Sequence, residues 1–481
     1  AQRRRRPPVP IATLAAVAVV PAILMAAVWQ YADASVVPPT TTTTTTMPPP
    51  PVGRLATDLL SLRRHPTPIA ERVAAAQAAA AFAERLTNLD GLIDDQSCLH
   101  IVDGGEVVAD IGTDGSVIPA SNEKLFVAAT ALQVLGADHR FRTELVSTRP
   151  FNGVVAGDVY LVGGGDPVLR TADVVDPLPY PAFNTTSLEA LADQIVTLGI
   201  TLIQGDVVGD GSRYDDEFRA ASWGDEITNF DAGPYDALLV NDGLIQGEYG
   251  LNPSRSAART FIDLLQARGV VVSGAAANAD RPADGEFTTL AFIESRPLTD
   301  VLVELLHTSD NNTAEMLLKE IGFVATGVGS RDAGLGVIRQ TLGEWGIPLD
   351  GVDLQDGSGL SRANRTTCTA LAALLATAPV GEELQNLLPV AGRDGTLAPQ
   401  LLGTVAEARL RAKTGTLTGV KALTGTQPGA DGRDVEFALV LNGEGVDEPG
   451  RYQPVWEQVV NLIDEYPVVV EPDVSMFAPA P

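Results

Sequence analysis

The sequence predicts an α+β protein: helices and a mostly antiparallel sheet shared between the two ends of the chain, interrupted by a mostly-β insertion. Three observations carry this expectation. Helix-like runs fall at 69–89, 121–135, 298–306, 313–321 and 455–466. Strand-like runs sit near both ends, at 98–102 and 106–111 and again at 409–413, 422–426 and 435–442. Residues 141–290 have another texture, with many short strands separated by Gly/Asp turns such as Gly163-Gly164-Gly165-Asp166-Pro167.

Taken in order, the chain opens with arginine at 3–6, followed at 9–29 by 21 residues without a charge. At a rise of ~1.5 Å per residue such a run spans a bilayer, and its basic flank stays on the cytoplasmic side. Residues 1–34 are therefore expected to be a membrane anchor, with a signal peptide cut near Ala32-Asp33-Ala34 as the alternative. Residues 35–66, with threonine at 40–46 and proline at 48–51, cannot bury a core and read as an extended spacer. The helix at 69–89 is rich in alanine. The runs 98–102 and 106–111 flank Asp103-Gly104-Gly105 and read as a hairpin. Pro119 precedes the helix at 121–135, which Gly136 stops. The helix at 455–466 is amphipathic. The expected division is a discontinuous domain at 67–140 and 291–470 around an inserted domain at 141–290.

Composition excludes some functions. The formal net charge of −28 leaves no basic surplus for phosphates, so nucleic acid is not an expected partner. The two cysteines, Cys98 and Cys368, and the four histidines are scattered, and no metal site is expected. In an oxidising compartment Cys98 and Cys368 either pair or remain two small buried residues. A bridge would stabilise by roughly 4–5 kcal/mol in the chain-entropy picture. The turn at Gly163–Gly165 lacks a following helix and reads as a backbone turn, not a nucleotide loop. His307 lies close to Ser309, but no acid partner or nucleophile elbow accompanies it, so it reads as structural.

Three short motifs carry chemistry. Ser121-Asn122-Glu123-Lys124 starts a helix, so Ser121 and Lys124 share a face and the amine can reach the hydroxyl. The helix start adds backbone N–H groups and a positive dipole. Ser309-Asp310-Asn311 falls where a helix begins, and an N-cap would explain it as well. Lys413-Thr414-Gly415-Thr416 ends a strand-like run. Each is weak alone. Together and in this order they form the set found in penicillin-binding proteins and class A β-lactamases, and the chain resembles that superfamily. The phrases around Gly157–Pro167, Asp356-Gly357-Ser358-Gly359-Leu360-Ser361-Arg362 and Gly392-Arg393-Asp394-Gly395-Thr396-Leu397 narrow the resemblance to the D-alanyl-D-alanine carboxypeptidase/endopeptidases. These are the DacB-like, class C low-molecular-mass penicillin-binding proteins, with a large domain inserted between the first two motifs. The resemblance covers roughly residues 67–466.

That resemblance implies a penicillin-binding (β-lactamase/transpeptidase-like) fold, an antiparallel sheet flanked by helices, with no cofactor. It implies peptidoglycan stem peptides as substrates, β-lactam antibiotics as inhibitors, and Ser121, Lys124, Ser309, Asn311 and Lys413 as catalytic residues. Thr414, Gly415 and Thr416 would bind substrate. Ser121 would attack the penultimate carbonyl, with the N–H groups of Ser121 and Thr416 as oxyanion hole. Lys124 would be the base, made neutral by burial and by the positive charge of Lys413. Two alternatives share the motifs: a β-lactamase, and a non-catalytic wall-binding protein of the same fold. A β-lactamase calls for an E-x-x-L-N glutamate soon after the second motif. The nearest candidate, Glu383-Leu384-Gln385-Asn386, lacks that pattern.

Overall fold

A computed structural model describes residues 67–467, apart from 91, 113–114, 175–179 and 246–247. The expected membrane segment (1–34) and spacer (35–66) lie outside the described residues. Among the described residues no helix is long and apolar enough to cross a membrane.

Helix α1 (Thr67–Asp90) leads into the hairpin β1 (Cys98–Asp103) and β2 (Glu106–Gly112). A 3₁₀ turn at Ala120–Glu123 runs directly into α2 (Lys124–Leu135). The middle of the chain supplies β3 (Arg142–Ser147), β4 (Val159–Val162), α3 (Leu188–Thr197) and β5 (Val207–Asp210). It continues with α4 (Pro253–Ala267), β6 (Ala276–Asn278) and β7 (Thr288–Glu294). Helices α5 (Leu298–Thr308), α6 (Asn311–Thr326), α7 (Arg331–Glu344) and α8 (Cys368–Thr377) follow. Strands β8 (Arg411–Leu417), β9 (Val420–Pro428) and β10 (Asp434–Asn442) precede α9 (Pro449–Asp464).

The first sheet is antiparallel with order β8-β9-β10-β1-β2, so the two ends of the chain meet where β10 pairs with β1. Side chains alternate across a strand, and both faces here are covered. Leu99, Ile101, Leu423, Phe437 and Leu439 face a core shared with Val455, Trp456, Val459 and Ile463 of α9. Cys98, Val102, Ala422, Ala438 and Val440 face the opposite core, with α2, α5, α6 and α8. Helix α2, Lys-Leu-Phe-Val-Ala-Ala-Thr-Ala-Leu, is buried along nine consecutive residues, which is why it is apolar all round.

A second sheet has order β6-β5-β4-β3-β7, parallel across β4-β5-β6 and antiparallel at β3. It packs with two helices that the Gly/Asp turns of this stretch do not announce. In α3, Leu188, Leu191, Ala192 and Ile195 repeat at helical spacing and are buried, and Ser187 caps the helix through Ala190 N. In α4, Asn252 caps through Arg255 N, and Phe261, Ile262 and Leu265 enter the same core.

Between β5 and α4 the chain crosses to α6 and is held there by buried charge. The Lys319 amine, fully buried, reaches Asp215 Oδ1 at 2.5 Å and the carbonyls of Asp215 and Glu217. Glu320 accepts from Arg213 at 2.6 and 2.8 Å and from the Tyr214 hydroxyl at 3.0 Å. Such groups tolerate burial only when paired in this way.

Cys98 and Cys368 form a disulfide, with Cα atoms 5.9 Å apart. It joins β1 to the first residue of α8, across 270 positions of sequence. Replacing both cysteines by alanine is expected to lower stability by about 2–5 kcal/mol. The check is the guanidinium midpoint of the double variant, followed by tryptophan fluorescence against wild type.

Candidate active site

Ser121 lies in the 3₁₀ turn rather than in the α-helix expected to begin there. Residues i and i+3 eclipse in a 3₁₀ turn, so the spacing aligns Ser121 with Lys124 more directly than an α-helix would. Ala120 before it has φ of +48°, a left-handed conformation that turns the chain sharply into the motif. The Lys124 amine sits 3.0 Å from Ser121 Oγ, 2.7 Å from Asn311 Oδ1 and 2.5 Å from the Ser358 carbonyl. The Asn311 amide is oriented by its own Nδ2, which donates to the Asp231 carbonyl at 2.7 Å.

The second motif is a corner between two helices. Ser309 ends α5 in the left-handed region, φ +64°, and its N–H donates to Leu305 O. Asp310 caps α6 through Thr313 N at 2.6 Å, and Asn311 is the first helical residue. One tripeptide therefore caps α6 and brings Ser309 and Asn311 to the two lysines. A serine held at positive φ is costly, of order 1–3 kcal/mol, and such strain concentrates at functional sites.

The third motif runs through β8 rather than ending it. Lys413 Nζ donates to Ser309 Oγ at 2.8 Å and to the Thr414 carbonyl at 2.8 Å. Strand β8 is the sheet edge. Ala412 N donates off that edge to Pro389 O at 3.1 Å, and a period of two puts the N–H groups of Thr414 and Thr416 on the same open side. Gly415 has no room for a side chain: a Cβ there would lie 2.9 Å from Pro119 O and 3.1 Å from Ala422 Cβ. The strand thus passes directly against the turn that carries Ser121.

All eight expected residues converge. Ser121, Ser309, Asn311, Thr414 and Thr416 line a cavity of about 700 Å³, with Lys124, Lys413 and Gly415 behind them. Several other groups also reach the site. Glu226, Ile227 and Asp231 form a wall from the chain segment preceding α4, and nothing local in the sequence marks them. Leu360 and Arg362 bring the glycine-rich loop 356–361 and its next residue into the wall. Thr396, from the Gly-Arg-Asp-Gly-Thr-Leu phrase, accepts from Thr414 Oγ1 at 2.8 Å. Lys421 donates to Thr416 Oγ1 at 3.0 Å, its amine over the rings of Tyr452 and Trp456. The short helix Gly381–Asn386 with Glu383 does not line this cavity.

Burial lowers the Lys124 pKa to about 8, while the charges of Asp356, Asp310, Glu315 and Glu123 oppose the shift. Burial, one of the two causes expected, is the larger one, and the repulsion between the two lysines falls on Lys413 instead. Lys413 itself is pushed well below the usual lysine range by burial, then by Lys124 and Lys421. Burial also pushes the Glu123 carboxyl well above its usual range. His307 is half-buried beside Phe183, its pKa lowered by burial, and does not line the cavity.

Fold and site together define a penicillin-binding, β-lactamase/transpeptidase-like protein. The D-Ala-D-Ala carboxypeptidase 3 (S13) family matches residues 78–250 and 250–462, and the chain belongs to that family of serine-type D-Ala-D-Ala carboxypeptidases. It is 31% identical over 462 residues to the D-alanyl-D-alanine carboxypeptidase of Actinomadura sp. (strain R39), covering 77% of this chain and 83% of that one. It is also 31% identical over 395 residues to carboxypeptidase DacB of Mycolicibacterium smegmatis, covering 79% and 82%. The structure of penicillin-binding protein 4 (dacB) from Haemophilus influenzae shares the fold, with a TM-score of 0.68 at 22% identity, over 79% of this chain and 99% of that one.

Gly359, with φ of +83°, packs its Cα against Ala120, and a Cβ would fall 2.0 Å from the Ala120 carbonyl oxygen. Gly359→Ala is expected to destabilise by at least roughly 1–3 kcal/mol and to push the loop off the Ser121 turn. The check is a thermal melt together with the rate of fluorescent-penicillin labelling, both of which should fall.

Proposed function

We propose that the carboxypeptidase reaction of this family runs here through an acyl-enzyme on Ser121. The observation that carries the reading is the pair of buried lysines, each on one serine: Lys124 on Ser121 and Lys413 on Ser309, facing one cavity. A stem peptide ending in D-Ala-D-Ala lies along β8, its terminal carboxylate received by Lys413 and the hydroxyls of Thr414 and Thr416. The Ser121 proton passes to Lys124 as Oγ bonds the penultimate carbonyl carbon. The N–H groups of Ser121 and Thr416 take the negative charge on that carbonyl oxygen. Ser309 relays a proton to the amine of the departing D-alanine as the C–N bond breaks, and Asn311 holds the substrate backbone. Water then hydrolyses the ester, returning Ser121. The same acyl-enzyme serves cleavage of a cross-link at that carbonyl, and a β-lactam acylates the same oxygen.

The family acts on the cell wall, which fits an envelope enzyme. We further propose that residues 1–34 anchor it in the membrane and 35–66 space it from the surface. Recovery in the soluble fraction of broken cells would overturn the anchor. The domain division at 67–140 and 291–470 around 141–290 is likewise our reading, supported by the pairing of β10 with β1 and by the separate sheet β6-β5-β4-β3-β7, whose last strand carries the second boundary from 290 to just past Glu294.

Penicillin should label wild type but not Ser121→Ala, read by intact mass. Lys124→Arg keeps the charge but supplies no base, and is expected to lose at least about 10²-fold in acylation rate. A rate near wild type would sink the general-base assignment.

The acylation rate of wild type should rise with pH along a limb centred near 8, because Lys124 must be neutral to accept the proton and burial holds its pKa there. Stopped-time labelling with penicillin across that range checks it. A rate independent of pH would contradict it.

A further inference from the structure

A neutral amine has two N–H bonds and one lone pair. Around Lys124 Nζ stand two groups that can only accept, Asn311 Oδ1 and the Ser358 carbonyl, and one hydroxyl, Ser121 Oγ. When the two acceptors take the two N–H bonds, the lone pair is left on Ser121. Asn311 belongs to a known motif. The Ser358 carbonyl belongs to the loop 356–361, and two fully buried carboxylates hold that loop.

Glu315, on α6, accepts from Gly357 N at 2.9 Å and Ser358 N at 2.8 Å, both on Oε1. Its Oε2 faces the Tyr235 hydroxyl at 3.3 Å, whose oxygen accepts in turn from Arg331. Asp356 accepts from Gly359 N at 2.9 Å and Asn364 Nδ2 at 2.7 Å on Oδ1. On Oδ2 it accepts from Ser361 N and the Trp223 indole, both at 2.7 Å. Every partner donates, so both side chains act here purely as acceptors; burial and the neighbouring Asp356 push the Glu315 carboxyl up, and Arg331 and the bonds from Ser358 oppose that. Six donors fix a loop of six residues whose one contact with the Lys124 amine is a carbonyl.

We propose that Glu315 and Asp356 are positioning residues for the general base. They hold the loop so that the Ser358 carbonyl takes one N–H of Lys124 and the lone pair meets Ser121, and their charge tunes the protonation of that amine. The proposal rests on the reading of Lys124 as the base. The charged groups facing Lys124 are Glu123 on its own turn, Asp310 and Glu315 on α6, Asp356 on the loop and Lys413 on β8.

Two substitutions separate charge from geometry. Glu315→Gln keeps Oε1 as acceptor for both loop N–H groups, so the hold on the loop is retained, while the charge and the Oε2 contacts with Tyr235 and Arg331 are lost. Removing a negative charge favours the neutral amine, so the limb of acylation rate against pH should move to lower pH, by at least about half a unit. Asp356→Asn places an NH2 group against two donors whichever way the amide lies. Loop placement should then fail, and acylation should fall at least ~10-fold at every pH, since a displacement near 1 Å can cost more than that. Full-length wild type, both variants and Lys124→Arg are assayed with benzylpenicillin by intact mass across pH, with thermal melts alongside. A Lys124→Arg variant at wild-type rate removes the general-base reading and this proposal with it. Loss in Lys124→Arg combined with an unmoved limb in Glu315→Gln overturns the proposal alone, and so does a wild-type rate in a folded Asp356→Asn. Should Asp356→Asn fail to fold, the limb of Glu315→Gln decides.

Discussion

The desolvated amine of Lys124 is the constraint on which the cleft depends. A lysine shut away from water is tolerated only if its N–H groups find acceptors or it gives up its proton, and here it has acceptors and a pKa lowered to about 8. Its partners come from three places: its own turn, the head of α6 and the loop 356–361. Each would be meaningless without the others. The helix α2 that carries Lys124 is buried between the sheet and α6, which leaves its register no freedom.

The same constraint explains why so much charge lies in the interior behind the site. Glu315, Lys319 and Glu320 follow one another along α6, the helix that begins with Asn311. Lys319 and Glu320 grip residues 213–217, and Glu315 grips the loop and Tyr235. The segment between β5 and α4 is thereby fastened to the helix that presents the second motif, and the Asp231 carbonyl within it orients the Asn311 amide. Buried ionic networks are weak evidence for stability but fix geometry when every member is satisfied.

Much of the site was legible in the sequence because its chemistry is written in short motifs: Ser121 to Lys124, Ser309 to Asn311 and Lys413 to Thr416 meet as expected. The sheet was legible from β-rich runs near both ends, although β8 extends through Thr416 where the run suggested an end at Lys413. Backbone contributions were not legible. The carbonyls of Ser358 and Asp231 depend on where a loop and a distant segment are folded, and no residue type signals a carbonyl. Helices α3 and α4 carried a readable spacing, Leu188, Leu191, Ala192 and Ile195 among them, but the glycine turns around them suggested strands alone. The reason for Gly415 was also hidden, because the close approach it permits is to Pro119 and Ala120, nearly three hundred positions earlier.

Strand β8 is a sheet border, covered at Arg411 and Ala412 by residues 389–390 and open beyond them. Proteins ordinarily disguise such borders, because any extended polypeptide can pair with them and seed aggregation. Here the border is sunk in a trench whose far side is built by Asp231, Ser309 and Leu360. A wall on that side leaves a second sheet less room to pair than an open border would, so the enclosure that forms the cavity also works against edge-to-edge association.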